Sequence, residues 1–188
     1  MKHAMSSFLT NSEIQKIGFK KIGENAKISR KASFFNAGKI KIGNNSRIDD
    51  FCVLSAGPGG ISVGRNVHIA VFCSLIGKEL IELCDFVNLS SRVAIYSSSD
   101  DFSGEWMTNP TVPDALTNVM SAPVILNEHV LIGTGSVILP GVIMETASGT
   151  GALTLVKDRC QSFGLYGGQP AKRIGKRSSG LVALSENL

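Results

Sequence analysis

A repeat of six residues limits what this chain can fold into. From Leu126 to Val156 it reads LNEHVL-IGTGSV-ILPGVI-METASG-TGALTL-V, with an apolar or small residue at Leu126, Ile132, Ile138, Met144, Thr150 and Val156. Four residues after each of the first five stands Val130, Ser136, Val142, Ser148 or Thr154. Neither a helix nor an ordinary strand has this period. A hexad repeat is the mark of a parallel β-helix, in which each hexad makes one flat side and one turn. The first position fills a narrow prism, and its partner must be small because the corner beside it is tight.

The same phase runs upstream through Ile22, Ile28 and Phe34, then Ile42, Ile48 and Leu54, then Val63, Ile69 and Leu75, then Leu83, Leu89 and Ile95. Its offset-four partners are Ala26, Ala32, Ser46, Cys52, Val67, Cys73, Val87 and Val93. The register breaks between Tyr96 and Ser121, in a polar stretch with Trp106, Pro110 and Pro113, and resumes at Leu126. That stretch is too long for a turn and too polar for core, so it reads as a protruding arm. Stacked coils lie about 4.8 Å apart, so side chains of equal register form columns. The residue just before the second hexad of each coil points outward: Lys27, Arg47, His68, Asn88 and Leu131 in turn. This sets His68 one coil below Asn88, and it places both near the root of the arm.

The chain has 188 residues, enough for one domain with a sizeable core. Hydrophobic content of 43% with 6% aromatics suits a thin aliphatic prism. A net charge of +4 favours an anionic ligand but is too weak to argue for nucleic acid. Cys52, Cys73, Cys84 and Cys160 show no zinc-ligand spacing, and with three histidines no metal site is expected. Free thiols, no signal peptide and no apolar run near 18 residues point to a reducing, cytoplasmic setting without a transmembrane segment. Residues 1 to 11 read as frayed, with Asn11 or Ser12 capping a short helix that Gly18 ends. Gly164, Gly167, Gly168 and Pro170 read as a linker, and residues 178–188 as a short helix.

These hexads, with RIDDFCVLSAG, VHIAVFCSLIG, AIYSSSDDFSGEWMTNPTVP, IGTGSVILPGV and YGGQPAKRI, resemble the hexapeptide-repeat acyltransferases. The likeness spans about Ser12 to Arg177 and is strongest to lipopolysaccharide, O-antigen, galactoside and maltose O-acetyltransferases. It implies an all-β fold: a left-handed parallel β-helix of about six coils with a protruding loop and short terminal helices. The handedness comes from the resemblance alone, since ordinary parallel crossovers are right-handed. The expected division is a cap over 1–21, a β-helix over 22–177 with the arm at 96–121, and a tail over 178–188.

The resemblance also implies acetyl-CoA as co-substrate, no metal, a sugar acceptor and a homotrimer with sites between subunits. Acyl transfer to a hydroxyl needs a base and donors for the oxyanion. His68 is the candidate base and Asn88 its positioning partner. His3 lies in the frayed end and His129 on a solvated turn. The galactoside and maltose enzymes carry a catalytic histidine where this chain has Ser99 or Asp100, so either that role passes to His68 or to an arm carboxylate, or the protein is not an acetyltransferase of that mechanism. HIAVFC is also similar to the histidine region of acyltransferases acting on nucleotide sugars, with Val71 where their second histidine stands. Asp100, Asp101 and Trp106 are the candidate acceptor contacts. For the donor, the resemblance points to Gly133, Gly135, Gly151 and Ala152 along the groove. Lys157, Lys172, Arg173, Lys176 and Arg177 cluster at the C-terminal end, with Pro170 in YGGQPAKRI among them. The functions expected are an O-acetyltransferase of lipopolysaccharide, O-antigen or exopolysaccharide biosynthesis, an N-acetyltransferase of a nucleotide-linked amino sugar, or a non-catalytic trimeric scaffold.

Overall fold

The computed structural model describes residues 7–185. Three parallel sheets form the sides of a prism. Face one stacks Lys21–Ile22, Ile40–Ile42, Ile61–Val63, Ile81–Leu83, Val124–Leu126 and Ile143–Met144. Face two stacks Lys27–Ile28, Arg47–Ile48, His68–Ile69, Asn88–Leu89, Leu131–Ile132, Gly149–Thr150 and Gly164–Gly167, and ends on an antiparallel strand, Lys172–Lys176. Face three stacks Ser33–Phe35, Val53–Ala56, Ser74–Gly77, Ala94–Tyr96, Val137–Ile138 and Leu155–Val156. The hexads therefore make six coils, each joined to the next by backbone bonds such as Arg47 N–H to Val67 O (2.8 Å) and His68 N–H to Val87 O (3.0 Å).

The inward positions carry the fold. Ile28, Ile48, Leu54, Ile69, Leu75, Leu89, Ile95, Leu126, Ile132 and Ile138 are fully buried. Each contributes about 1.5–3 kcal/mol against exposure. The offset-four partners sit in the corners: Cys52 donates to Ala70 O (3.0 Å) and Cys73 to Ser90 O (3.1 Å). The residue just before each partner, Lys31 before Ala32 excepted, takes the left-handed conformation that bends the chain round. On the edge between faces one and two these are Asn25, Asn45, Asn66, Phe86, His129 and Ala147; between faces two and three they are Phe51, Phe72, Arg92, Gly135 and Leu153.

The outward faces differ. Face one presents Lys21, Lys41, Ser62 and Glu82, and face two Lys27, Arg47, His68 and Asn88. Face three presents Ser33, Phe35, Val53, Ser55, Ser74, Ile76, Ala94, Tyr96, Val137 and Leu155, with no charge.

Both ends are closed. At the start, helix α1 (Asn11–Ile17) buries Ile14 in the core, and Gly18 ends it in the left-handed conformation. Its cap is Thr10, one or two residues before the expected Asn11 or Ser12. Thr10 and Glu13 bond each other's backbone N–H, a reciprocal capping box that a Ser/Thr with Glu three residues on makes and Asn11 does not. Residues 7–9 are not frayed, because they bridge Ser29: Leu9 N–H donates to Ile28 O and Arg30 N–H to Ser7 O. The earlier residues, His3 among them, lie outside the described part. At the other end the glycine-rich segment is a hairpin rather than a linker, with Gly164–Gly167 paired to Lys172–Lys176. Helix α2 (Gly180–Ser185) follows. Among the described residues no helix is long and apolar enough to cross a membrane.

Candidate active site

The column expected on face two is present: Arg47 pairs with His68 and His68 with Asn88 across successive coils. The imidazole is held on both sides. Its Nε2 lies 2.9 Å from Asp49 Oδ2 and its Nδ1 3.2 Å from the Asn88 amide. Asp49 is buried and also accepts from Arg47 Nε (2.6 Å). Burial works against its charge, but the bonds from His68 and Arg47 outweigh it and hold the carboxyl below its ordinary value. The sequence reading missed Asp49. It is the side chain after inward Ile48, in the column next to that of His68, and its contact runs diagonally between columns.

The arm leaves face three after Tyr96 and returns into Val124–Leu126. At its root Ser98–Ser99 pairs antiparallel with Met120–Ser121. Asp101 is spent on the arm itself, accepting from Ser103 N–H (2.7 Å), the Ser103 hydroxyl and Asn118 Nδ2 (2.7 Å). The Ser103 bonds, with that of Asn118, lower its pKa. Asp100 beside it is exposed, and among the described residues its carboxylate has no side-chain hydrogen bond or ion pair. Both acids line an open pocket with Phe102, Asn118 and Met120. Trp106 is 44% exposed. Within one chain the arm stands at the far edge of face three from His68 and Asn88, so the structure does not join the two groups as the sequence reading had them.

At the C-terminal end Gly133 packs against the backbone of Gly151 and Ala152, where a Cβ would come within 2.4 Å, so coil stacking by itself demands glycine there. Gly135 takes the left-handed conformation, with φ of 68°. Lys157, Pro170 and Lys172 are exposed, as is Ala152. Arg177 is not a free cation. Its Nη1 donates to His129 O, Ala147 O and Ser148 O (3.1, 2.9 and 2.8 Å), and burial lowers its pKa. His129 is no solvated turn residue either: it stacks on Phe86 (4.8 Å, 4°), its Nε2 meets the Ser185 hydroxyl, and burial lowers its pKa. The sequence could not show this, because Ser185 and Arg177 come from far along the chain. Burial pushes the Cys84 and Cys160 thiols up to about 11, which leaves neither as a nucleophile. Among the described residues no three His, Cys, Asp or Glu side chains are grouped to hold a metal.

No protein-family model matches the chain. It is 49% identical over 178 residues, 95% of its length and 93% of the relative's, to a dTDP-4-amino-4,6-dideoxy-D-glucose acyltransferase of Escherichia coli. The chain belongs to the hexapeptide-repeat acyltransferases. It is an acyltransferase, and its prism is the left-handed parallel β-helix of that family. A putative lipopolysaccharide biosynthesis O-acetyl transferase, WbbJ of Escherichia coli K12, is 25% identical over 75% of this acyltransferase and 74% of its own length. Among solved structures, a mutant of AntD, an N-acyltransferase from Bacillus cereus in complex with dTDP and coenzyme A, superposes with a TM-score of 0.93. It shares 42% identity over 98% of this chain and 97% of its own. These relatives support acyl transfer to a sugar and favour the alternative expectation, an N-acyltransferase of a nucleotide-linked amino sugar, over the O-acetyltransferase. The hexads and the donor-end motif belong equally to O- and N-acyl transfer, which is why they do not separate the two.

Proposed function

We propose that the protein transfers an acyl group from a coenzyme A thioester to the amine of a dTDP-linked 4-amino-4,6-dideoxyglucose. The observation that carries this reading is the 49% identity, across nearly the whole of both chains, to an enzyme named for that acceptor. The missing histidine supports it too, since an amine needs less help from a base than a hydroxyl does.

Asp100 is the base in this reading. Crystal structures of AntD include replacements of a serine and of an aspartate ten residues later. Ser90 and Asp100 have that spacing here, as do Ser91 and Asp101. The first pair is favoured because Asp101 is already spent on Ser103 and Asn118, whereas Asp100 is unengaged. Asp100 takes a proton from the substrate ammonium, and the neutral amine attacks the thioester carbonyl. The Ser90 hydroxyl steadies the oxyanion. The C–N bond forms, the C–S bond breaks, and the coenzyme thiolate leaves and takes up the proton that the attacking nitrogen gives up. His68, held by Asp49 and Asn88, has neither ring nitrogen left for a substrate proton while those contacts stand. In this reading it positions the acceptor one coil below Ser90.

Ser90 and Asp100 border opposite edges of face three, so they meet only across a subunit boundary. A homotrimer packed through its uncharged third face brings Ser90 of one protomer to Asp100 of the partner subunit. The donor then runs from Ser90 past Gly133, Gly135, Gly151 and Ala152 toward Lys157, Pro170 and Lys172, with its phosphates on the lysines. Arg177 holds the wall of that end rather than the ligand.

The test is incubation with acetyl-CoA and the dTDP-amino sugar, followed by mass spectrometry and mild alkali. A mass gain of one acetyl group that survives alkali is the amide this reading expects. An alkali-labile product, or acetylation only of the hydroxyl sugar, would return the chain to O-acetyl transfer.

A further inference from the structure

We propose that the outer column Lys31–Phe51–Phe72–Arg92 is the seat of the acceptor's pyrimidine nucleoside diphosphate, with the base on the phenylalanines and the two phosphates at Arg92. The inference rests on the acceptor class proposed above and adds where that acceptor lies.

The column runs up the edge between faces two and three, one residue per coil. Phe51 and Phe72 stack with centroids 5.0 Å apart and planes 14° from parallel. Lys31 Nζ lies 5.1 Å from the Phe51 ring and the Arg92 guanidinium 5.6 Å from that of Phe72. The phenylalanines are nevertheless 48% and 50% exposed, so burial does not explain them. Nor does backbone conformation. Phe51, Phe72 and Arg92 have φ of 62°, 63° and 61°, in the region that bulky side chains avoid. On the neighbouring edge the same step is filled by Asn25, Asn45 and Asn66, which tolerate it, then by Phe86, His129 and Ala147, where the Phe86 ring is covered by His129 and Arg65. An aromatic that accepts the strain and stays in solvent is held there for what it contacts.

The chemistry fits one ligand in one direction. The faces of the two rings are turned to each other, to Lys31 and to Arg92, so a pyrimidine packs against their exposed edges. Arg92 carries a planar fork suited to phosphate oxygens and makes no ion pair among the described residues. It is two residues from Ser90, so phosphates at Arg92 leave the sugar beside Ser90 and the base pointing down the column. The donor lies on the opposite side of Ser90, toward Gly135 and Leu153, which stand in the same column but carry no ring and no charge. The two substrates therefore approach along one edge from its two ends.

The experiment is calorimetric titration of wild type, Phe51→Leu, Phe72→Leu and Arg92→Gln with dTDP, thymidine and coenzyme A, with sedimentation of each variant as a control. The expected result is dTDP binding weakened at least about tenfold by each leucine. Arg92→Gln should weaken dTDP but not thymidine, and coenzyme A binding and sedimentation should be unchanged throughout. Wild-type dTDP binding that all three variants retain would remove the column as the seat while leaving the acceptor class standing. A wild type that binds no dTDP would overturn both. Loss of coenzyme A binding would make the column a donor seat, and a changed sedimentation coefficient would make it a subunit contact; either result overturns the proposal.

Discussion

The carboxylates of Asp49, Asp100 and Asp101 show how one functional group is put to three uses. Asp101 is bonded into the arm, Asp49 holds an imidazole and a guanidinium, and Asp100 is left open. Two substitutions separate their roles. Asp100→Asn is expected to lower kcat about a hundredfold or more, the range a general base supplies, without changing coenzyme A affinity. His68→Ala is expected to raise KM for the acceptor while kcat stays within about tenfold. Steady-state kinetics with each substrate varied checks both, and a collapse of kcat in the histidine variant would restore His68 as the base. At this scale the sequence was half legible. Hexad phase alone aligned Arg47, His68 and Asn88, because coil stacking turns register into contact. Asp49 needed the direction of a side chain across two columns, and phase does not give that.

Among the elements, α1 is the one whose hold on the prism can be titrated. Arg30 bonds Glu13 through its guanidinium, with Nη2 to Oε2 at 2.8 Å, and that contact, with the Thr10 backbone, lowers the Glu13 carboxyl to about 2. A carboxyl depressed in the folded state stabilises above its unfolded value, about 4.3, and that contribution is lost as pH falls toward about 2. The melting temperature of Glu13→Gln should therefore lie below wild type at neutral pH and converge on it as the solution is acidified through that window. Equal melting curves at neutral pH would show that the contact does not hold the helix. Thr10→Ala, which removes the capping box, should cost about 1 kcal/mol in urea unfolding. Element boundaries were the least legible part of the sequence. Thr10, Asn11 and Ser12 are all good caps by type, and only the partner at Glu13 selects among them. The hairpin at Gly164–Gly167 was hidden because its glycines read as turn, although it pairs as strand.

For the whole molecule the uncharged third face is the property with most consequence. Ala94→Glu would set a charge in its middle, level with Ser74 and Val137. In the trimer proposed here that charge has no water and no counter-ion, so sedimentation should shift from trimer to monomer and activity should fall with it. A full-activity trimer carrying this change would place the interface elsewhere. The prism itself was legible nearly residue by residue, because a solenoid repeats one packing problem and the hexads answer it each time. Its handedness was not, since no side chain in the repeat selects left over right.

Stacking by coils also turns the molecule into a gauge. Phe51, Phe72 and Arg92 are separated along the axis by whole coils, each about 4.8 Å, and the lysines of the donor end lie further coils on. Side chains can trim the fit, but the spacing between the two substrate ends can change only by adding or deleting an entire turn. A relative with a longer acceptor or donor should therefore differ by complete sets of three hexads rather than by loop insertions. An enzyme of this design redrawn for a new substrate length has to be redrawn in those units.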